Sequence, residues 1–142
     1  MARILSIDFG RKRTGIAVTD SLQIIASGLT TVPTGELFPF LERYFSQEEV
    51  GQVVVGLPRQ MNNAPSESMR YIEPFVARFR QRFPQIPVVY FDERFTSSLA
   101  HRAMLDGGLK KKDRQNKALV DEISATIILQ SYLESKQYKE RL

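Results

Sequence analysis

Arg3-Ile4-Leu5-Ser6-Ile7-Asp8-Phe9-Gly10-Arg11-Lys12-Arg13-Thr14-Gly15-Ile16-Ala17-Val18-Thr19-Asp20 is the stretch that decides the fold. Ile4, Leu5 and Ile7 form a short apolar run that suits a central strand covered on both faces, and Asp8 closes it. A carboxylate at the end of a buried strand is costly to keep charged unless a cation or a set of donors compensates it. Two readings are open: Asp8 orders the turn that follows, as Asp and Gly commonly do, or it is a metal ligand on a rigid strand tip. Gly10 and Gly15 have the G-x-x-x-x-G spacing of a phosphate loop, but Ile16 and Ala17 stand where the Lys and Ser/Thr of that loop are needed. The phosphate-loop reading therefore fails. Thr14 to Thr19 is again apolar and β-branched, so two strands flank a basic, Gly-bounded turn in an antiparallel hairpin. Arg11, Lys12 and Arg13 then lie beside Asp8. An acidic strand tip next to a basic turn suits a metal and a phosphodiester together.

The 142 residues predict a single domain over 1–142, long enough for a core of two or three layers. Hydrophobic residues make up 42% and charged residues 25%, and no apolar run approaches the roughly 18 residues of a membrane span. No membrane partner is expected. The first apolar run is too short for a signal peptide and ends in Asp8. Zero Cys excludes disulfides and thiolate metal sites and fits a reducing cytosol, so a cytoplasmic location is expected. The net charge of +4 leans toward polyanionic partners, and its distribution matters more than its sum.

Beyond the hairpin, Ile24 to Val32 reads as a third strand ended by Pro33, completing a meander. Leu37, Phe40, Leu41, Tyr44 and Phe45 fall at helical spacing, with Pro39 tolerable only in or near the first turn. Val53-Val54-Val55 is a buried strand closed by Gly56-Leu57-Pro58, and Arg59 to Pro65 is a polar loop. Met69, Ile72, Val76, Phe79 and Phe83 form a helical stripe in which Pro74 predicts either a kink or a start near Ile72. Pro87 to Phe91 is the fifth strand. A helix capped by Thr96 and ended by Gly107-Gly108 follows, then a loop over Lys110 to Asn116, then a last helix from about Lys117 to Ser135. This order gives a five-stranded mixed sheet, 3-2-1-4-5, with helices on both faces: a ribonuclease H-like three-layer α/β/α arrangement.

In such a sheet the active crevice lies at the carboxyl ends of the parallel strands. Asp8 ends strand one, and Asp92 and Glu93 end strand five, about 10 Å away across two strand spacings. On the last helix Asp121 shares a stripe with Ala125, Ile128 and Tyr132, whereas Glu122, about 100° further round, is expected in solvent. Oxygen-rich sites suit Mg2+ or Mn2+, and the lack of Cys with a single His argues against zinc. Asp8, Asp121 and one of the adjacent pair Asp92 and Glu93 are therefore the candidate catalytic and metal-binding residues, expected to share cations. Other readings stand beside this one. Glu93 could pair with Arg94, and Asp121 could be a charge favoured near a helix start. Arg11, Lys12, Arg13, Arg59, Arg94, Lys110, Lys111, Lys112, Arg114 and Lys117 form the candidate nucleic-acid rim, although a charge run is commonly just a solvated loop. His101 reads as a helix-surface residue.

Several blocks carry a wider likeness: Asp8-Phe9-Gly10 and Thr14-Gly15-Ile16-Ala17, Gly56-Leu57-Pro58, Asp92-Glu93-Arg94-Phe95-Thr96, and Val120-Asp121-Glu122-Ile123-Ser124-Ala125. Together they make the sequence resemble the bacterial YqgF family over nearly its whole length. The resemblance implies a ribonuclease H-like fold and a Holliday-junction-resolvase-like nuclease, in a family proposed to process the 5′ end of precursor 16S rRNA in the cytoplasm. By motif position it implies acidic roles for Asp8, Glu93 and Asp121. The chain departs from the pattern at Ala64, where the family's Gly is expected, and at Pro58-Arg59, where the wider class places an acidic residue. The leading expectation is a divalent-metal-dependent endonuclease acting on an rRNA precursor, or alternatively on branched DNA. Its rivals are a non-catalytic nucleic-acid-binding or ribosome-assembly module and, from Asp8-x-Gly10, an ATPase, which would need a second domain. The sequence leaves the oligomeric state open.

Overall fold

The computed structural model describes residues 2–57, 69–93 and 117–141. In chain order they form β1 (Arg3–Asp8), β2 (Arg13–Thr19), β3 (Ala26–Pro33), a 3-10 turn (Thr34–Glu36), α1 (Leu37–Gln47), β4 (Val50–Leu57), α2 (Met69–Arg82), β5 (Val88–Asp92) and α3 (Lys117–Arg141). The sheet order is β3-β2-β1-β4-β5, as the element sequence predicts. β1 pairs antiparallel with β2 and parallel with β4, and β4 pairs parallel with β5. Among the described residues no helix is long and apolar enough to cross a membrane.

The central strand is buried on both faces because its side chains alternate between two cores. Leu5 and Ile7 join Val53 and Val55 of β4 under α1 and α2, where Leu37, Leu41, Ile72, Phe75, Val76 and Phe79 complete one core. Ile4, Val54 of β4 and Phe91 of β5 point the other way, onto Ala125, Ile128, Leu129 and Leu133 of α3. Ser6, the polar residue in the middle of β1, is fully buried, and its hydroxyl donates to the Ala125 carbonyl oxygen at 2.7 Å. That bond satisfies a group that would otherwise be stranded in the core, and it ties α3 to the middle of the sheet.

Some boundaries differ from those the sequence predicts, each for a physical reason. β3 begins at Ala26 rather than Ile24, since the backbone N–H groups of Ile24 and Ile25 both bond to Asp20 Oδ1, at 2.7 and 3.0 Å, and hold the chain in a turn. α2 runs from Met69 and passes through Pro74 instead of starting near Ile72. Its buried Ile72, Phe75, Val76 and Phe79 hold it to the sheet although Pro74 cannot donate to the preceding turn. Pro39 does fall in the first turn of α1. β5 starts one residue after Pro87, whose carbonyl accepts from the Val53 N–H at 2.9 Å. α3 continues to Arg141 rather than ending at Ser135. The polar loop over Arg59 to Pro65, the helix from Thr96, the loop over Lys110 to Asn116 and His101 lie outside the described residues.

Candidate active site

Alternation along the strands decides which carboxylates can meet. Asp8 follows Ile4 and Ser6 in parity and therefore points to the α3 face. In β5, Phe91 packs toward α3, so Asp92 is turned away and Glu93 returns to the same face. The position of Gly56 in β4 agrees: a Cβ there would collide with Ile128 Cδ1 of α3 and lie 3.2 Å from Glu93 Oε1. The Glu93 carboxylate thus reaches back over β4 toward Asp8. On α3, Ala125 and Ile128 of the predicted stripe are buried, and the Tyr132 hydroxyl donates to Gln52 Oε1 at 3.1 Å, so Asp121 stands at the sheet-facing start of that stripe.

Asp121 arrives beside Asp8 because of a glycine. Gly15 of β2 is the cross-strand partner of Asp8. A Cβ at Gly15 would collide with the Asp121 carbonyl oxygen, so only a residue without one lets the first turns of α3 lie directly on the hairpin. The sequence signal was present in a form easily misread: a glycine inside a strand weakens it, and such a residue marks a close approach. Here it seats the helix. Gly56 makes room for Glu93 in the same way. Glu122 is a correction to the expected solvated position: it is half-buried and packs over β3, where its carboxylate fills the space above Gly28.

The electrostatics follow from this crowding. Burial first, then the charges of Glu93 and Asp121, push the Asp8 carboxyl up to about 7, far above the usual carboxylate range. Burial and the neighbouring Asp92 also raise Glu93. Arg13, half-exposed on β2, donates from Nε to Asp121 Oδ2 at 2.9 Å and partly neutralises the cluster. No described cation is recorded against Asp8 itself. The donor set, carboxylate oxygens without Cys or His, fits a hard divalent cation, as does the surplus negative charge around Asp8. The groups face one another without closing on a common point: among the described residues no three His, Cys, Asp or Glu side chains are set to hold a metal ion. Asp121 is paired with Arg13 instead.

Of the expected basic rim, Arg11 and Lys12 are exposed in the β1–β2 turn and, with Gly10, Arg13 and Asp121, line an open cleft of about 580 Å³. Thr34 braces that turn, donating from its hydroxyl to the Gly10 carbonyl oxygen, while its N–H reaches the Lys12 carbonyl at 2.9 Å. Lys117 opens α3, and its side chain lies outside the described residues, as do Arg59, Arg94, Lys110, Lys111, Lys112 and Arg114.

Comparison with known proteins agrees with this architecture. Residues 2–135 match the family model described as RuvX, Holliday junction resolvase. A protein of Bacteroides thetaiotaomicron named "Putative pre-16S rRNA nuclease" is 67% identical over 138 residues, covering 97% of this chain and all of that relative. One of Phocaeicola vulgatus with the same name is 70% identical, covering 97% of this chain and 99% of the relative. Among solved structures, T. thermophilus RuvC in complex with a Holliday junction substrate matches with a TM-score of 0.58 over 96% of this chain and 97% of that one. At 16% identity that likeness concerns the fold alone.

Proposed function

The chain belongs to the RuvX Holliday junction resolvase family, and from that premise we propose that it is a divalent-metal-dependent endonuclease that hydrolyses phosphodiester bonds in structured nucleic acid. The substrate we favour is the 5′ region of precursor 16S rRNA, after the name its relatives carry. The family description favours branched DNA as the second reading. We further propose that the protein acts as one domain over 1–142 in the cytoplasm.

One observation carries the reading. Carboxylates from a strand tip, the segment after another strand and a helix crowd the same face at the carboxyl edge of the sheet, and Asp8 is driven to about 7 by its burial and neighbours. A fold keeps like charges so close at a cost to its stability, and such clusters mark sites where a cation or a proton is handled. Asp8, Glu93 and Asp121 would hold Mg2+ or Mn2+. Bound there, the ion would supply activation of a water and charge stabilisation on the leaving oxygen. The chain's own residues do the rest: Arg11 and Lys12 attract and orient the phosphates, and Arg13 exchanges its partner Asp121 for a phosphate oxygen as substrate settles. From sequence alone we assign the same phosphate-binding role to Arg59, Arg94, Lys110, Lys111, Lys112, Arg114 and Lys117.

The test is cleavage of a panel of precursor 16S rRNA fragments and four-way DNA junctions with Mg2+ or Mn2+, for the wild type and Asp8→Asn. Metal-dependent cleavage lost in Asp8→Asn supports the reading, and the panel separates the RNA from the DNA substrate. Cleavage that survives the substitution removes Asp8 from the mechanism. Salt-sensitive binding without turnover in any divalent metal favours a binding module instead.

A further inference from the structure

On the opposite side of the β1–β2 turn lies a groove that the carboxylate site does not use. Phe9 follows Asp8 in β1's direction and points to the other face, where its ring stacks on Phe75 with centroids 4.8 Å apart. Around it Arg11, Thr34, Phe38, Arg70, Tyr71 and Arg78 line a groove of about 490 Å³, within the roughly 300–1,000 Å³ usual for small-ligand sites. The Arg11 guanidinium lies 4.6 Å over the Tyr71 ring, and that of Arg78 lies 4.8 Å over Phe38. Tyr71 is 40% exposed, whereas Phe75 and Phe79 on the same helix are buried.

The geometry points to a subsite for an unpaired nucleotide of the substrate, with its base stacked on Tyr71 and Phe38 and its phosphate held by Arg11, Arg70 and Arg78. Three observations carry this assignment, which rests on the proposed nucleic-acid function. The chemistry is complementary: among the described residues three arginines and four aromatic rings line the groove, and no acidic side chain does. Aromatic faces take bases of any sequence, and guanidinium groups take phosphates, the pairing used by single-strand binding sites. Two of the ring faces also already take a cationic group, since the Arg11 and Arg78 guanidinium carbons lie over them. A base entering over Tyr71 displaces Arg11, whose long stem lets it turn to the adjoining phosphate. Finally, the groove is continuous with the site. Arg11 lines both the groove and the cleft beside Asp121, so a strand leaving the carboxylate edge crosses the turn directly onto Tyr71. The substrate class that follows is one with an unpaired segment next to the scissile bond.

The inference is tested with the full chain in EDTA, by fluorescence anisotropy on a short single-stranded RNA, its DNA counterpart and a blunt RNA duplex. Tyr71→Ala is expected to weaken single-strand binding about tenfold, as loss of a stacking platform does, and to leave duplex binding unchanged. Arg78→Gln, at a groove residue that does not line the cleft beside Asp121, is expected to weaken it about threefold through one lost phosphate contact. Circular dichroism confirms that each variant folds, and thiouridine-substituted RNA is expected to cross-link at Tyr71 or Phe38. An equal loss on RNA and DNA assigns base and phosphate as the recognised groups, and a loss on RNA alone adds the 2′-hydroxyl. If wild type binds in EDTA and cleaves with Mg2+ or Mn2+ while both variants match its binding, and cross-links fall only on Gly10 to Arg13 and α3, the groove is overturned and the nuclease stands. If wild type neither binds in EDTA nor cleaves with Mg2+ or Mn2+ any of the nucleic acids, the function itself is overturned.

Discussion

Asp8 and Asp20 sit at opposite ends of the same hairpin, one closing β1 and the other following β2, and the fold treats them in opposite ways. Asp20 accepts the N–H groups of Ile25 and Ile24, which hold its carboxyl below the usual range. The protein supplies that carboxylate with everything its charge requires, and the result is a well-formed turn. Asp8 is surrounded instead by burial, Glu93 and Asp121, and its carboxyl is pushed up to about 7. A strand-end aspartate with its donors in place is architecture, whereas one left to the field of like charges is prepared for something that arrives from solution.

The sharpest way to break this contrast is Asp8→Asn, which is expected to lower metal-dependent cleavage by about a thousandfold, the several kcal/mol that metal-ion charge stabilisation contributes. Single-turnover cleavage measures it. Gly15→Ala comes next. Its new methyl group meets the Asp121 backbone, so α3 must lift from β2. A loss of about 3 kcal/mol in urea unfolding is expected, at the upper end of overpacking costs. The third effect has the opposite sign. Because the folded carboxyl of Asp8 binds its proton more tightly than the unfolded one, metal-free protein loses stability as pH rises from about 4 to about 7. Asp8→Asn should therefore stabilise the metal-free chain at pH 8 by on the order of 2 kcal/mol and flatten that pH dependence. Denaturant midpoints at pH 5 and pH 8 check both. Arg13→Gln frees Asp121 from its cation and is expected to tighten Mn2+ binding about threefold, read by calorimetry, while weakening binding to nucleic acid. Asp20→Asn is the smallest: a slight fall in Tm above pH 4 that disappears in acid, since a carboxyl held low contributes only while it is ionised.

The carboxylate edge and the aromatic groove also differ in how far the sequence revealed them. Asp8 was legible because a charge ending an apolar run is conspicuous in one dimension, and Asp121 because a charge on an apolar helical stripe is equally so. The choice of Glu93 over Asp92 was not. It depends on the side to which β5 turns Phe91, and a strand register shifted by one residue would reverse it. The groove was missed altogether, because Phe9, Phe38, Tyr71 and Phe75 come from three elements and each reads singly as an ordinary core residue.

The order of the described elements, the sheet 3-2-1-4-5 and the family are readable in one dimension, because hydrophobic period, turn residues and motif spacing are local properties carried by consecutive residues. Folding in three dimensions was needed to show that α3 rests on Gly15, that Asp121 bonds to Arg13 and that Glu93 lies over Gly56. These are distances between segments far apart in the chain, set by how closely backbones approach when the two cores close, and no pattern of neighbouring residues records such an approach.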